Sequence, residues 1–573
     1  MKILIFAPYA SIYPHAAIES DLAKNFINAG HKVTFLRCGK ILEFFCTNMR
    51  ASGLSLDSNV QSKLKVCGRC EISSRSESFL TGSKIDFLQH WAVPSDKDVV
   101  DGILSRISKE NWFELEYDGV PVGRLSAYEI LLQNKLVTLE LDEDQWVRLR
   151  VELANSIRLS LAASRYFNQN AFDRVIVYNN FYGVNRTLTH VASRHQIPIF
   201  SIQASGFNHE MYQSISIHVS DEQAFLYPHT HSVRDKMTLP LNSYEVQSVT
   251  KHLEGLLNSS NAWVYSTAVQ KFKDNDFIYQ MLELSDGRQI VLLALSSADE
   301  MFAARAIGVN IPNLINNEED QQLESIEEII KYFSLHTDKF LIIRPHPREF
   351  PNKRDSVVSQ HGVKLREFLM HVPSNVLINW PEDSVSIYNF IPYVSLLINN
   401  SSSVGLEFAA LGVPILSLDP ERLYAYPPIV GNTIGPNENL SQSISRILNQ
   451  EPSPLHQVLA FRYINVSRFS GLFQETNTLH STTSKVLFFY RRLIPRLGIA
   501  RIPFLIGYLR KQLGLKANRD NFGSVSGVDF IIDGGRRSTE IAQSDDFEYK
   551  YEFFEMNLVQ NSVLALKKSY GLE

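Results

Sequence analysis

Cysteine is scarce in this chain: four residues in 573, all between Cys38 and Cys70. Four thiols cannot staple a protein of this length, so a disulfide framework is excluded as the source of its stability. Charge of one sign is lacking as well. The 56 Lys and Arg stand against 61 Asp and Glu, a formal net charge of −5, which argues against a protein built to grip nucleic acid. Long hydrophobic runs are missing too. A spanning helix needs about 20 predominantly apolar residues, yet the longest uncharged stretch, Ser384 to Leu406, is filled with Asn and Ser. At the start of the chain Pro8 interrupts the apolar run before a leader-type segment can form. No repeat of solenoid length occurs. Cytoplasmic residence is the expectation, and structural disulfides are rare there.

The rest is globular: 44% hydrophobic and 20% charged residues, enough for several domains or two large ones. The apolar run Lys2–Ala7 reads as a strand, the pattern from His15 to Ala29 as a helix closed by Gly30, and His31–Cys38 as a second strand. Asp173–Tyr178, Gly183–His195 and Ile197–Gln203 repeat the grammar of strand, helix and strand. Leu149, Leu153, Ile157 and Leu161 recur every four residues, which predicts an amphipathic helix packed on that sheet. A second series starts near Arg288 and runs through Lys339–Pro345, Asn375–Trp380, Ser386–Phe390, Val394–Asn400 and Val413–Asp419. The fold class expected is α/β, with two Rossmann-like domains built on parallel sheets. The first covers 1–270 with an irregular insertion at about 72–145, the second covers 286–450, and 451–573 form a helical extension.

Within that extension, Lys485 to Arg519 carries nine basic residues and no acid, so the near-neutral total conceals a cationic segment. Its aromatic and aliphatic content suits an anionic membrane surface, where each Lys or Arg contributes on the order of 1 kcal/mol. The competing reading is a helical extension with its Leu and Phe packed on the body and its Arg in water. Membrane contact is the favoured of the two, making the protein peripheral on the inner face of the membrane.

Two motifs carry chemistry. In the text from Leu396 to Leu418 a strand ends at Asn399 and Asn400, and Ser401, Ser402, Ser403 and Gly405 form a small-residue turn. A helix containing Glu407 follows. Free N–H groups, hydroxyls and the positive end of a helix suit a phosphate, and Glu407 is placed to accept from ribose hydroxyls. An ordinary serine-capped helix is the plain alternative. The other motif is Arg344-Pro345-His346-Pro347-Arg348, directly after a strand. Two prolines stiffen a loop that holds an imidazole between two guanidinium groups, an arrangement suited to a leaving phosphate.

With these motifs the chain resembles the GT-B glycosyltransferases of bacterial surface-polysaccharide assembly, particularly capsule and O-antigen (lipopolysaccharide) enzymes. The matching pieces are Gly30-His31-Lys32-Val33, Ser296-Ser297-Ala298-Asp299-Glu300, the Arg-Pro-His-Pro loop and the Ser-Ser-Ser-Val-Gly-Leu-Glu turn. A His-Pro motif combined with a Ser-Ser motif is similar to cytidine-nucleotide enzymes, namely bacterial sialyltransferases and capsular Kdo transferases, and more distantly teichoic-acid polymerases. The resemblance implies two domains facing across a cleft and a nucleotide-sugar donor, CMP-linked on the cytidine likeness. It also implies a saccharide or lipid-linked acceptor, and His346 with Ser401 to Ser403 on the nucleotide phosphate. Two positions depart from the pattern. Asn399 stands where retaining members often carry Glu, and Glu116-Tyr117-Asp118-Gly119 does not match the acidic motif of sialyltransferases.

The transfer needs a group that removes the acceptor's proton, expected from the first domain. Candidates are Glu19, ranked first, then His15, Asp118, and His209 with Glu210; each has an ordinary capping or surface role as its alternative. No cofactor is required for such a transfer. Cys38, Cys46, Cys67 and Cys70 leave two readings open, a structural zinc or iron–sulfur site or buried free thiols. Two other functions stay open at this point: a nucleotide-sugar 2-epimerase on the same pocket, and a non-catalytic scaffold of a polysaccharide assembly complex.

Overall fold

The computed structural model describes residues 1–42, 44–205, 214–219, 231–260, 265–270, 276–309, 318–352, 356–399, 402–418, 425–435, 437–467, 473–474, 531–532 and 548–573. Two sheets organise them. In the first, β1 (Lys2–Phe6), β2 (Lys32–Arg37), β3 (Lys84–Phe87), β4 (Arg174–Tyr178) and β5 (Ile199–Ser205) are parallel. β6 (Ser214–His218) and β13 (Phe473–Gln474) extend it antiparallel, in the order β13-β6-β5-β4-β1-β2-β3. The second holds β7 (Gln289–Ala294), β8 (Lys339–Arg344), β9 (Val376–Ile378), β10 (Val394–Asn399), β11 (Ile415–Ser417) and β12 (Asn432–Thr433). All are parallel, in the order β12-β11-β10-β7-β8-β9. Numbered from its own first strand, each sheet runs 3-2-1-4-5, the doubly wound order. The α/β expectation of two Rossmann-type domains holds.

The period-two pattern explains why both sheets are buried on both faces. Leu4 and Phe6 pack in one cluster with Val175 and Val177, while Ile3 and Ile5 pack in another with Ile176. In the second sheet Ile290 and Leu292 face one core, Val291 and Leu293 the other. Strands that bury both faces read as continuous apolar runs, the reason they are easy to see in the sequence. Helix ends are as clear. Gly30, at φ +87, closes the helix Tyr13–Asn28 in a conformation that L side chains rarely adopt. Asp142 and Gln145 form a reciprocal capping box on Glu143–Gln169, whose buried face carries Leu149, Leu153 and Ile157.

Some segments sit elsewhere than their sequence position suggests. The stretch 72–145 supplies the edge strand β3 of the first sheet. It also supplies the helix Tyr128–Asn134, which packs Tyr128, Ile130 and Leu131 against Ala303, Ala304 and Ile307 of the second domain. The helices His231–Met237 and Ser243–Leu257 fall within the bounds expected of the first domain, yet Val233, Val249 and Leu253 share a core with Ile290 and Leu397. The chain then recrosses. After the helix Pro454–Asn465 on the second domain, β13 joins the first sheet and Ile531 packs beneath it, before Phe553–Tyr570 returns to the second domain. Arg462 and Glu555, both 1% exposed, lock that return with bonds of 2.9 and 2.5 Å. Among the described residues no helix is long and apolar enough to cross a membrane. The basic segment 485–519 lies outside the described residues.

Candidate functional site

In an open doubly wound sheet, ligands bind beyond the carboxyl ends of the strands where the strand order reverses. For the second sheet that point lies between β7 and β10, with β8 beside them. A cavity of about 140 Å³ opens there, and its lining includes Leu295, His346, Tyr388, Ser402, Ser403 and Glu407. The Arg-Pro-His-Pro loop and the serine turn are 54 to 63 residues apart in sequence but share this one cavity.

The loop after β8 is braced by its charged side chains. Arg344 is 7% exposed and donates to Asn379 Oδ1 and, at 3.0 Å, to the Val385 carbonyl. Burial pushes its guanidinium down to about 10. Arg348 grips the fully buried Asp299 through Nε at 2.9 Å and Nη2 at 2.5 Å. Glu349 accepts from Ala298 N–H at 3.2 Å and from the Ser359 hydroxyl, and burial raises its carboxyl. Both flanking arginines brace the loop, and Arg344 also lines the cavity. His346 is left to face the cavity. Its Nδ1 accepts the Arg348 backbone N–H at 3.2 Å, so in the neutral ring the proton sits on Nε2. An imidazole held this way offers an N–H donor, suited to an anionic oxygen.

The serine turn contributes hydroxyls and a carboxylate. Ser403 Oγ donates to Glu407 Oε1 at 3.2 Å, and Tyr388 Oη donates to Glu407 Oε2 at 2.7 Å. A carboxylate oxygen can accept from more than one donor, a sugar hydroxyl among them. Ser402 Oγ lies 3.5 Å from the Val404 N–H, at the start of the helix Val404–Ala410. Ser401 falls outside the described residues. Gly405 is small for a reason internal to the protein. A Cβ there would stand 1.9 Å from Tyr426 Oη and 2.6 Å from Asn399 Nδ2, a pair hydrogen-bonded at 2.8 Å. Its lack of a side chain seats the helix on the end of β10.

The first-domain candidates separate cleanly. His15 stacks on Tyr178 at the carboxyl end of β4, ring centroids 4.0 Å apart, and approaches Tyr182 at 6.1 Å. Burial lowers its pKa to about 4, so the ring is neutral at physiological pH. Glu19, ranked ahead of it by sequence, is 2% exposed and lies 3.7 Å from the buried Arg37, which itself bonds Glu77. Burial raises Glu19 to about 8. A carboxyl sealed in that network cannot reach a ligand without unpacking the helix. Asp118 pairs with Arg194 at 2.7 Å. Arg194 ends the helix that runs back from the carboxyl edge of the sheet, so Asp118 sits at the opposite edge. His209 and Glu210 lie outside the described residues.

The cysteines cluster. Cys38, Cys46, Cys67 and Cys70 line a single cavity of about 30 Å³ near the carboxyl ends of β1, β2 and β3. Among the described residues no group of three His, Cys, Asp or Glu side chains is arranged to hold a metal ion. Burial raises the thiols of Cys38, Cys46 and Cys70, Cys46 to about 12, and Cys70 Sγ donates to the Pro8 carbonyl at 3.7 Å. A buried, protonated thiol packs as a small apolar side chain with a weak donor.

Several site residues carry no motif. Tyr388 lies in a stretch that reads as a strand but forms the short helix Ile387–Phe390. Tyr265 and Ser266 belong to the polar connection between the domains, yet both line the cavity. Tyr265 meets His346 edge-on at 5.5 Å, and Ser266 Oγ accepts the Ile387 N–H at 3.1 Å. Only the i, i+19 partnership of Tyr388 with Glu407 shows its role, and that is a tertiary contact.

No family model matches the chain, and no curated protein matches it. Solved structures do. One is a β-Kdo 2,4 transferase, KpsC, of Thermosulfurimonas dismutans, 11% identical, covering 51% of this chain and 79% of that one with a TM-score of 0.30. The MnaA–UDP structure of S. aureus is 11% identical, covers 91% and 100%, and scores 0.26. The UDP-GlcNAc 2-epimerase of Neisseria meningitidis bound to UDP-GlcNAc is 12% identical, covers 85% and 98%, and scores 0.23. At these scores and identities the likeness carries no functional argument.

Proposed function

We propose that the chain is a glycosyltransferase that moves a sugar from a nucleotide-sugar donor onto a saccharide or lipid-linked acceptor in surface-polysaccharide assembly. The observation that carries this reading is the convergence of His346, Ser402, Ser403 and Glu407 on one cavity at the switch point of the second sheet. In this reading the acceptor oxygen attacks the anomeric carbon, the bond from that carbon to the phosphate oxygen breaks, and the nucleotide departs with the electron pair. His346 Nε2–H and the serine hydroxyls stabilise the departing phosphate, while Glu407, steadied by Tyr388 and Ser403, holds the ribose. The acceptor's proton passes to His15, whose neutral ring is ready to take it. A cytidine nucleotide is the donor carrier that the His-Pro and Ser-Ser pair favours.

Membrane attachment belongs to the same proposal. The described residues nearest the cationic segment on either side, Gln474 and Ile531, both lie on the first domain. That placement would bring the acceptor-binding half to an anionic surface, as a lipid-linked acceptor requires. Liposome flotation with anionic lipid tests it: deletion of 485–519 should abolish binding, and unchanged flotation rejects the attachment. For the reaction, purified protein incubated with CMP-, UDP- and GDP-sugars should release nucleotide with at least one of them. Release that survives both His346→Ala and His15→Ala overturns the assignment.

A further inference from the structure

The arginine that follows the His-Pro pair does more than close a loop. Its backbone N–H reaches His346 Nδ1 at 3.2 Å, and its guanidinium is bound to both domains at once. Nε lies 2.9 and 3.1 Å from the two oxygens of Asp299, and Nη2 lies 2.5 Å from Oδ2. The same Nη2 donates to the Leu132 carbonyl at 3.2 Å, on the first-domain helix Tyr128–Asn134. From that helix the fixation is returned: Lys135, 1% exposed, donates to the Val357 carbonyl at 2.6 Å, just beyond the same loop. Pro347 stiffens the single turn between the imidazole and Arg348, and Glu349 pins its far end to Ala298 N–H and the Ser359 hydroxyl.

From this geometry we infer that Arg348 is a positioning residue: through Asp299 and Leu132 it fixes the turn whose N–H holds His346 as an Nε2–H donor, so that anion binding by His346 depends on the contact between the domains. The inference rests on the reading of His346 as the phosphate-facing group. Arg348 cannot itself serve a phosphate in this arrangement. Turning it toward the cavity would strand Asp299, a carboxylate with no exposure, in the protein interior. With the turn released, the hydrogen bond that orients Nδ1 is lost. The ring can then rotate and present a lone pair to the phosphate, which repels where the proton attracts.

Calorimetric titration of the full chain with CMP and with UDP tests this in a double-mutant cycle. Arg348→Met should weaken nucleotide binding about as much as His346→Ala does, roughly tenfold or more. The double variant should be no weaker than His346→Ala alone, because the effect of Arg348 passes through the imidazole. Arg348→Lys, which keeps one ion pair to Asp299, should fall between. Asp299→Asn, which releases Arg348 without touching the loop, should repeat the non-additivity and carries the test if Arg348→Met does not fold. Equal losses in the presence and absence of His346 would overturn the inference, as would wild-type affinity in Arg348→Met. Should the wild type bind neither nucleotide, the phosphate reading of the site falls. Histidine nitrogen chemical shifts then decide the positioning alone: an Nε2–H tautomer at His346 that persists unchanged in Arg348→Lys and Asp299→Asn rejects it.

Discussion

Three side chains have roles that physical chemistry separates. His346 presents an N–H to the cavity because its other nitrogen is already a hydrogen-bond acceptor. Hydrogen bonds to a charged group contribute about 1.5–3 kcal/mol, so His346→Ala should weaken nucleotide affinity roughly ten- to a hundredfold. His15→Ala should instead lower turnover by about 10²–10⁴ with nucleotide affinity unchanged; a loss of affinity in that variant would remove His15 from the acceptor side. Glu19 makes a prediction about stability. Burial raises its folded value to about 8, above the unfolded range, so the native state holds the extra proton and loses stability as pH rises toward that value. Glu19→Gln carries no such penalty. Its melting-temperature advantage over the wild type should grow from pH 5 to pH 9, and an advantage independent of pH contradicts the buried-acid account. The ranking of Glu19 over His15 shows where sequence stops being informative. Both lie beyond β1 at helical spacing, and only the packing of Arg37 and Tyr178 tells which is sealed and which faces the strand ends.

At the scale of elements, the strands and the serine turn were legible because their chemistry is local. An apolar run buried on both faces, a glycine closing a helix and a proline-flanked histidine all announce themselves within a few residues. The short 3₁₀ helix with Tyr388, the edge strand β3 and the docked connection with Tyr265 were not, since each is fixed by partners distant in sequence. Gly405, expected as part of a phosphate cradle, is small for a reason that only packing supplies. Gly405→Ala should cost about 1–3 kcal/mol in denaturant unfolding, and the cost should shrink in a Tyr426→Phe background, where the crowded oxygen is gone. A cost independent of Tyr426 contradicts the contact in the structure.

For the whole molecule, the near-neutral composition hid two kinds of organisation. One is the cationic stretch 485–519. The other is a chain that crosses between its domains more than once, with the buried Arg462–Glu555 pair fastening the last crossing. Removing one partner of such a pair leaves a buried charge uncompensated, so Arg462→Met should destabilise the protein by about 3–5 kcal/mol. A smaller loss, on the order of a surface ion pair, would show that the C-terminal helix is not part of the second domain's cooperative unit.

The claim on which the rest depends is that the cavity at the end of β8 and β10 holds a nucleotide. Thermal unfolding with CMP, CDP, UDP and GDP, each in large excess, measures it directly. A ligand at about 100 times its Kd adds about 2.7 kcal/mol to the native state. The account predicts that at least one of the four raises the melting temperature of the wild type by several degrees, and that His346→Ala abolishes most of that rise. No shift with any of them, or an equal shift in His346→Ala, contradicts it.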